Sequence, residues 1–327
     1  MEPIRWGIMG TGRIAGDFAT GLAELPDAIL SAVGSRTAES AARFADRFGV
    51  PRRHASYEAL IADPEIDVVY VGVPHPLHHP LTRACLEAGK PVLVEKPFTI
   101  NAAEAAELIE LARARRLFLM EAMWTRFLPL MERFRALVAA GAIGEPRLLL
   151  ADFGFRHGGG PQHRLFDLAL GGGALLDVGV YLVSLASWLF GAPDRLAGLS
   201  HLGPTGADEQ SAVVLGFPAG QLAQLTAAVR TDTPQEVTLA GTEGTIRIHP
   251  LWWKPTRLTL SRPGQAEETI ELPFQGIGYN YEAAEVARCL RAGLLESPIM
   301  PLAETLAIMR TLDALRAQWG VRYPTEA

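Results

Sequence analysis

Apolar residues recur along the first 120 positions in two alternating rhythms. Ile4 to Met9, Ala28 to Val33, Asp67 to Val73 and Pro91 to Val94 are short, nearly continuous apolar runs bounded by Gly, Pro or polar residues. Strands covered on both faces of a sheet read this way. Between them, apolar positions fall at helical spacing. Phe18, Leu22 and Leu25 mark one helix, and Ala38 to Phe48, ending at Gly49, a second. Ser56 caps a short helix over Tyr57 to Ala62, with Glu58 close to the capping-box position. Leu81 to Ala88, stopped by Gly89, and Ala102 to Arg116, with Asn101 as candidate N-cap, complete the series before a short strand at Leu117 to Met120. Strands alternating with helices predict a doubly wound parallel sheet.

The rhythm changes from Met123 onward. A helix over about Pro129 to Ala140 is followed by a long strand, Arg147 to Phe155, a glycine loop (Gly158 to Gly160), and a helical pattern from Ala174 to Phe190. Seven strands then follow: Arg195 to Leu202, Ser211 to Phe217, Gln221 to Arg230, Glu236 to Ala240, Thr245 to His249, Arg257 to Ser261 and Glu268 to Leu272. Hairpin-like turns join several of them, so they are expected to be antiparallel. Two helices, about Tyr279 to Ala292 and Leu302 to Trp319, close the chain. The expected organisation is α/β: a Rossmann domain over residues 1–122, then an α+β domain with a large, open, mostly antiparallel sheet over 123–327, whose last helix could pack back on the first domain. Gln221 to Arg230 alternates, yet both of its faces stay largely uncharged, which points to burial of the sheet's second face against a partner subunit.

Composition narrows the class. In 327 residues, 49% are hydrophobic and 20% charged, as in an ordinary soluble globular protein. A net charge of −6 argues against a nucleic-acid or anionic-membrane partner, which would need a basic face. No basic-then-apolar leader precedes the first strand, and no apolar run reaches the ~18 residues of a membrane span. A cytoplasmic enzyme-sized protein is the default expectation. Cys85 and Cys289 lack Cys or His neighbours at zinc-ligand spacing, so both are expected as buried reduced thiols, and no metal site is expected.

Three stretches carry chemistry. Gly10-Thr11-Gly12-Arg13-Ile14-Ala15 directly follows the first strand and opens a helix, which is the setting of a G-x-G-x-x-A dinucleotide fingerprint. Gly10 permits the turn, Gly12 admits a pyrophosphate, Ala15 allows close helix–sheet packing, and the free N–H groups of the helix start favour an anion. The second strand ends in Gly34-Ser35-Arg36 with no acid beside it; an arginine here accommodates a 2′-phosphate, so NADP(H) is favoured over NAD(H), the alternative being a solvated loop residue. The loop with Pro74, His75, His78 and His79 leaves a strand's carboxyl end, where ligands of open α/β sheets bind, and is expected to line the cofactor cleft rather than hold a metal.

The second stretch is Glu95-Lys96-Pro97. The chain has only three lysines (Lys90, Lys96, Lys254) among 30 basic residues, and one of them stands at a strand's carboxyl end. A partly buried lysine can lose its proton, whereas an arginine cannot. An ordinary surface lysine is the competing reading. The third is Asp177 and Tyr181, four residues apart on an otherwise apolar helix, where burial is expensive without a partner or ligand. Here the alternative is a core tyrosine and a locally bonded aspartate.

Together, the early G-x-G-x-x-A, Pro74-x-x-x-His78, Glu95-Lys96-Pro97 and the Gly-Gly…Asp177-x-x-x-Tyr181 helix resemble the glucose–fructose oxidoreductase/inositol dehydrogenase (Gfo/Idh/MocA) family of NAD(P)-dependent oxidoreductases. Tyr181, where many members have histidine, and Phe118-Leu-Met-Glu-Ala-Met-Trp124-Thr-Arg126-Phe resemble the branch of dimeric dihydrodiol dehydrogenases and NADP-dependent D-xylose dehydrogenases. The resemblance implies hydride transfer between a nicotinamide and the hydroxyl or carbonyl carbon of a sugar, polyol or dihydrodiol. It implies NADP(H), a homodimer or dimer of dimers through the open sheet face, and a cis Lys96–Pro97 bond. Tyr181 would be the acid/base, Lys96 its electrostatic support and Asp177 an orienting group. Trp124 and Arg126 would shape the substrate pocket or cover the nicotinamide where the domains join, with Phe155, Arg156 and His157 as further pocket candidates. Ser40 stands where dihydrodiol members carry a second arginine, which weakens the expected NADP preference. A non-catalytic NADP(H)- or sugar-sensing regulator on the same scaffold is the alternative. A methyltransferase leaves the lysine strand and the second sheet unexplained.

Overall fold

The computed structural model describes residues 2–326. The chain forms strands and helices in the order β1 (Ile4–Met9), α1 (Arg13–Leu22), β2 (Ala28–Gly34), α2 (Ala38–Phe48), β3 (Arg52–His54), α3 (Tyr57–Ile61), β4 (Val68–Val71), α4 (His78–Glu87), β5 (Val92–Glu95), α5 (Ala102–Arg115) and β6 (Leu119–Ala122). Then follow α6 (Pro129–Ala139), β7 (Pro146–Gly154), α7 (Val180–Phe190), β8 (Arg195–Leu202), β9 (Asp208–Gly216), β10 (Leu222–Ala228), β11 (Val237–Gly241), β12 (Thr245–Ile248), β13 (Arg257–Ser261), β14 (Glu268–Glu271), α8 (Tyr279–Arg291) and α9 (Leu302–Trp319). They divide into two compact units. One comprises the chain up to Thr99, Ala103–Phe127 and Gln275–Thr305; the other comprises Ile100–Ala102, Leu128–Phe274 and the chain from Leu306. Residues 275–305, which the sequence reading places with the second domain, therefore belong to the first unit, and α9 contributes only its opening turn there.

In the first unit six parallel strands lie in the order β3-β2-β1-β4-β5-β6. Every residue of β4, β5 and β6 is buried, as the continuous apolar runs require. The order reverses between β1 and β4, and such a switch point opens a crevice at the strands' carboxyl ends. Thr37 and Ser56 cap α2 and α3 through their side chains, and Gly49 closes α2 in the left-handed conformation at φ 67°. Strand β3 was not expected, because Arg52-Arg53-His54 carries no apolar signal; it extends the sheet edge by pairing with β2. Helix α8 packs on α1, where Gly21 is needed: a Cβ there would stand 2.9 Å from the Asn280 nitrogen and the Tyr279 side chain.

The second unit holds an eight-stranded sheet, β14-β13-β12-β11-β7-β10-β9-β8. Its neighbours are antiparallel except β7 and β10, which run parallel, Leu148 opposite Leu222. The expected uniform helix over 174–190 is instead a π-helical turn, Leu175–Gly179, leading into α7. An evenly apolar run carries no periodicity that would show the change of pitch. By length and composition, Leu168–Phe190 also meets the measure of a membrane span, contrary to the sequence reading, but its most apolar stretch is mostly buried inside the protein. It packs on one sheet face through Ala223, Leu225 and Ala227 of β10. The register places Leu150, Val214 and Gln224 in one cross-strand row, and Leu199, Ala212 and Thr226 in the next, on the opposite face. Leu150, Leu199, Val214 and Leu222 are exposed there. Cys85 and Cys289 are buried free thiols, as expected.

Candidate active site

The fingerprint loop follows β1 at the switch point. Gly10 has φ 107°, and a Cβ at that position would stand 2.4 Å from the Gly72 carbonyl oxygen at the end of β4, so only glycine fits. Gly12, the N-cap of α1, differs: a Cβ there would meet nothing within 4 Å. Its small size therefore answers to no protein neighbour, and the open space before it lies on the helix start. Among the described residues no side chain caps α1 and no acid lies in its first turn, an arrangement in which a helix start can take an anion. Thr11 and Ser35 hydroxyls lie 3.3 Å apart across the loop. Arg36 is exposed after β2 and has no carboxylate partner among the described residues, while Thr37 accepts the Ser40 N–H to start α2. These residues could hold a dinucleotide, with an anionic group at the open start of α1. Arg13 is exposed and pairs loosely with Asp17 at 3.6 Å, and Ile14 is half-buried.

Lys96 follows β5 on a turn fixed from several sides. The Lys96–Pro97 peptide is cis. The Glu95 carboxylate is buried, accepting the Tyr70 hydroxyl at 2.6 Å and the Lys96 backbone N–H at 3.1 Å. Beyond Pro97, Phe98 N–H donates to Glu121 at 3.2 Å, and Thr305 donates to the same carboxyl at 3.1 Å; burial pushes the Glu121 carboxyl up to about 7. His78 is wholly buried, with Nδ1 2.8 Å from the Pro97 carbonyl oxygen and Nε2 2.9 Å from that of Val73. Two donations would require the imidazolium, but burial holds its pKa down, to about 4. At neutral pH one nitrogen donates and the other only approaches its carbonyl. His78 thus braces the turn rather than facing outward into a cleft. Pro74 is exposed, His75 half-buried, and their neighbour His79 bonds Glu107 at 2.9 Å.

Trp124 and Arg126 are both buried within the first unit. Trp124 stacks on Tyr279 at 4.6 Å. Arg126 pairs with Glu304 at 2.7 Å and donates to the Ile299 carbonyl at 3.3 Å.

In the second unit, Asp177 lies on the π turn and Tyr181 on the first turn of α7. A π turn holds slightly more than four residues, so the four-residue offset still returns close to the same face. The Asp177 carboxylate pairs with Arg164 at 2.8 Å; both are on the site's own unit, Asp177 buried and Arg164 half exposed. Tyr181 leans on Phe153 at 5.5 Å, and Phe153 stacks on Trp253 at 3.8 Å, making an aromatic wall beside the phenol. Asp208 anchors the turn's start: its Oδ2 accepts the Leu175 N–H at 2.7 Å. Gly173, at φ 133°, leaves room for that carboxylate, since a Cβ there would lie 2.1 Å from Oδ1. Phe155 is half-buried, and Arg156 is exposed, its N–H held by Asp232 at 2.9 Å. His157 stacks on His163 at 3.9 Å, and its Nδ1 accepts the Gly159 N–H, leaving the proton on Nε2.

Arg164, His163, Asp208 and Trp253 were not singled out by sequence. Arg164 had only a weak signal, a cation in a loop between two glycine runs. Asp208, at a strand's start 33 residues from the peptide it bonds, had none.

Such a phosphate cradle at the switch point of a parallel sheet, joined in one chain to an antiparallel-sheet unit bearing Asp177 and Tyr181, defines a nucleotide-dependent oxidoreductase class. Two family models match: an oxidoreductase family with NAD-binding Rossmann fold over residues 4–123, and the GFO/IDH/MocA C-terminal domain over 131–247. The chain belongs to the GFO/IDH/MocA oxidoreductase family. It is 39% identical over 335 residues to mouse (Mus musculus) trans-1,2-dihydrobenzene-1,2-diol dehydrogenase and 37% identical over 334 to the human (Homo sapiens) enzyme of that name, covering 99% of each pair of chains. Among solved structures it resembles a 3-ketoreductase from Actinomadura kijaniata in complex with NADP and TDP-benzene, at 28% identity and TM-score 0.85, covering 97% of this chain and 98% of that one. An aldose-aldose oxidoreductase from Caulobacter crescentus complexed with glycerol matches at 25% identity and TM-score 0.87 over 96% of both chains.

Proposed function

We propose that the chain is an NADP(H)-preferring dehydrogenase or reductase acting on a hydroxyl or carbonyl carbon of a sugar, polyol or dihydrodiol. The observation that carries the cofactor reading is the Gly12 loop, open before an uncapped helix start, with Arg36 lacking a carboxylate partner among the described residues. The substrate class is supported by the dihydrodiol dehydrogenases and by the aldose-aldose oxidoreductase among the similar structures. Bound nicotinamide would supply the hydride acceptor or donor. Tyr181 would take the proton of a substrate hydroxyl in oxidation and return it to a carbonyl oxygen in reduction. Lys96 would hold a substrate or ribose hydroxyl by hydrogen bond, its charge favouring a deprotonated oxygen nearby. Asp177, steadied by Arg164, would orient a second substrate hydroxyl. Tyr181→Phe and Lys96→Met are each expected to lower kcat by ~10²-fold or more with a responsive aldose or diol. Near-normal turnover in both variants would remove these assignments, and no reduction of NADP by any aldose, polyol or diol would favour a sensor.

The exposed face carrying Leu150, Leu199, Val214 and Leu222 supports a homodimer as the working form. Sedimentation should show more than one copy; a monomer at micromolar concentration rules this out.

A further inference from the structure

The first unit buries a carboxyl group that the proposed function does not use. Glu282, in the first turn of α8, is 0% exposed, and neither of its carboxyl oxygens has a hydrogen-bond partner among the described residues. Asn280 Oδ1, two residues earlier on α8, is likewise buried and without a partner among the described residues. A buried carboxylate with no donor is among the most expensive arrangements a fold can hold, and the usual escape is to keep the proton. Glu95 is its contrast. It is also buried, but it accepts the Tyr70 hydroxyl at 2.6 Å and the Lys96 N–H at 3.1 Å, two bonds that favour an anion. Phe18 of α1 stacks on the Tyr70 ring at 3.8 Å and seals that side.

We propose that Glu282 is a positioning residue for Lys96: a protonated, neutral acid that leaves the charge of this buried carboxyl pair on Glu95, beside the lysine. The proposal rests on the assignment of Lys96 to the reacting centre. Its physical basis is the asymmetry of donors. Of two carboxyls in one dry volume, the charge resides on the one that is hydrogen-bonded, and the proton on the other. The charged and titratable groups around the pair are few. Among the described residues, Tyr70 comes from β4, Asp17 from α1, Tyr279 from α8, and the cation Lys96 from the turn after β5. Burial raises both carboxyls, and the Glu95 charge raises Glu282 again. Two ionised carboxylates would leave one charge uncompensated, whereas one proton on Glu282 gives a neutral Glu95–Lys96 couple.

The decisive measurement is the infrared carbonyl stretch of a protonated carboxylic acid in the full chain at pH 9, taken as a difference between variants. A band should be present in the wild type, lost in Glu282→Gln and retained in Glu95→Gln. A wild-type-minus-Glu282→Gln spectrum with no such band overturns the proposal, whatever the catalytic role of Lys96. The second arm is the acid side of the kcat/KM profile. Glu95→Gln should abolish that limb and lower kcat about tenfold, whereas Glu282→Gln should keep the limb. A limb untouched by Glu95→Gln, or lost in Glu282→Gln, overturns it equally. If the band behaves as stated but Lys96→Met is fully active, the reading of Lys96 has failed and the assignment of the proton stands.

Discussion

Replacing Asp208 by asparagine removes a potential charge from the most enclosed carboxyl of the second unit while keeping an oxygen for the Leu175 N–H. One Asp208 oxygen accepts that N–H at 2.7 Å, the other has no partner among the described residues, and the side chain is fully buried. Burial pushes its pKa up to about 7 from an ordinary 3.8, against the pull of the bonded N–H and of Arg316. The folded state thus holds this proton more tightly than the unfolded chain. Its contribution to stability is complete below the unfolded value and is lost as pH rises through the folded one, from about 4 to about 7. The full difference corresponds to about 4 kcal/mol at pH 8, and structural relaxation should reduce what is observed to roughly 2 kcal/mol. Asparagine has no proton to lose, so Asp208→Asn should gain on the wild type between pH 5 and pH 8, by a few degrees in Tm. Melting both proteins across that range by circular dichroism isolates the one group, because all other titrations are shared. A Tm difference that does not change with pH would refute the reasoning, since Asp208 would then be ionised throughout.

Two glycines two residues apart should respond in opposite ways. Gly10→Ala, forced to φ 107° and against the Gly72 carbonyl, should lose about 2 kcal/mol or more in urea unfolding. Gly12→Ala should stay within about 1 kcal/mol of the wild type yet bind NADP(H) at least about tenfold more weakly by titration calorimetry; equal affinity would place the phosphates elsewhere. NADP should raise Tm more than NAD, and Arg36→Ala should erase most of that difference, about 1.4 kcal/mol for a tenfold preference. Greater stabilisation by NAD would contradict the arginine argument.

The legible parts of this fold are those where a local rule suffices. Gly10 and Gly12, the caps at Thr37 and Ser56, and the buried runs of β4 and β5 are written in adjacent residues, because the physics that fixes them acts over one turn or one strand. Lys96 at a strand end was visible for the same reason. Glu282 was not: it reads as one polar residue in the first turn of an ordinary helix, and its predicament exists only once α8 has buried it without a donor. Arg164 and Asp208 are opaque in the same sense. Their partners, Asp177 and the Leu175 peptide, are set by loop path and sheet register rather than by spacing. The parallel pairing of β7 with β10 also escaped, since each strand has the same alternation whichever way its neighbour runs.

The return of residues 275–305 to the first unit bears on how this protein can be taken apart and made. A fragment cut after residue 122 would contain every strand of the parallel sheet and the whole glycine fingerprint, yet it would lack the helix that fits against Gly21 and the acid that lies beside Glu95. During synthesis the same deficit persists until the chain has passed the entire second sheet. The nucleotide-binding unit is therefore the first to begin and among the last to be finished. Fragments and fusions that keep it intact must carry the later segment as well, either in line or as a separately supplied peptide.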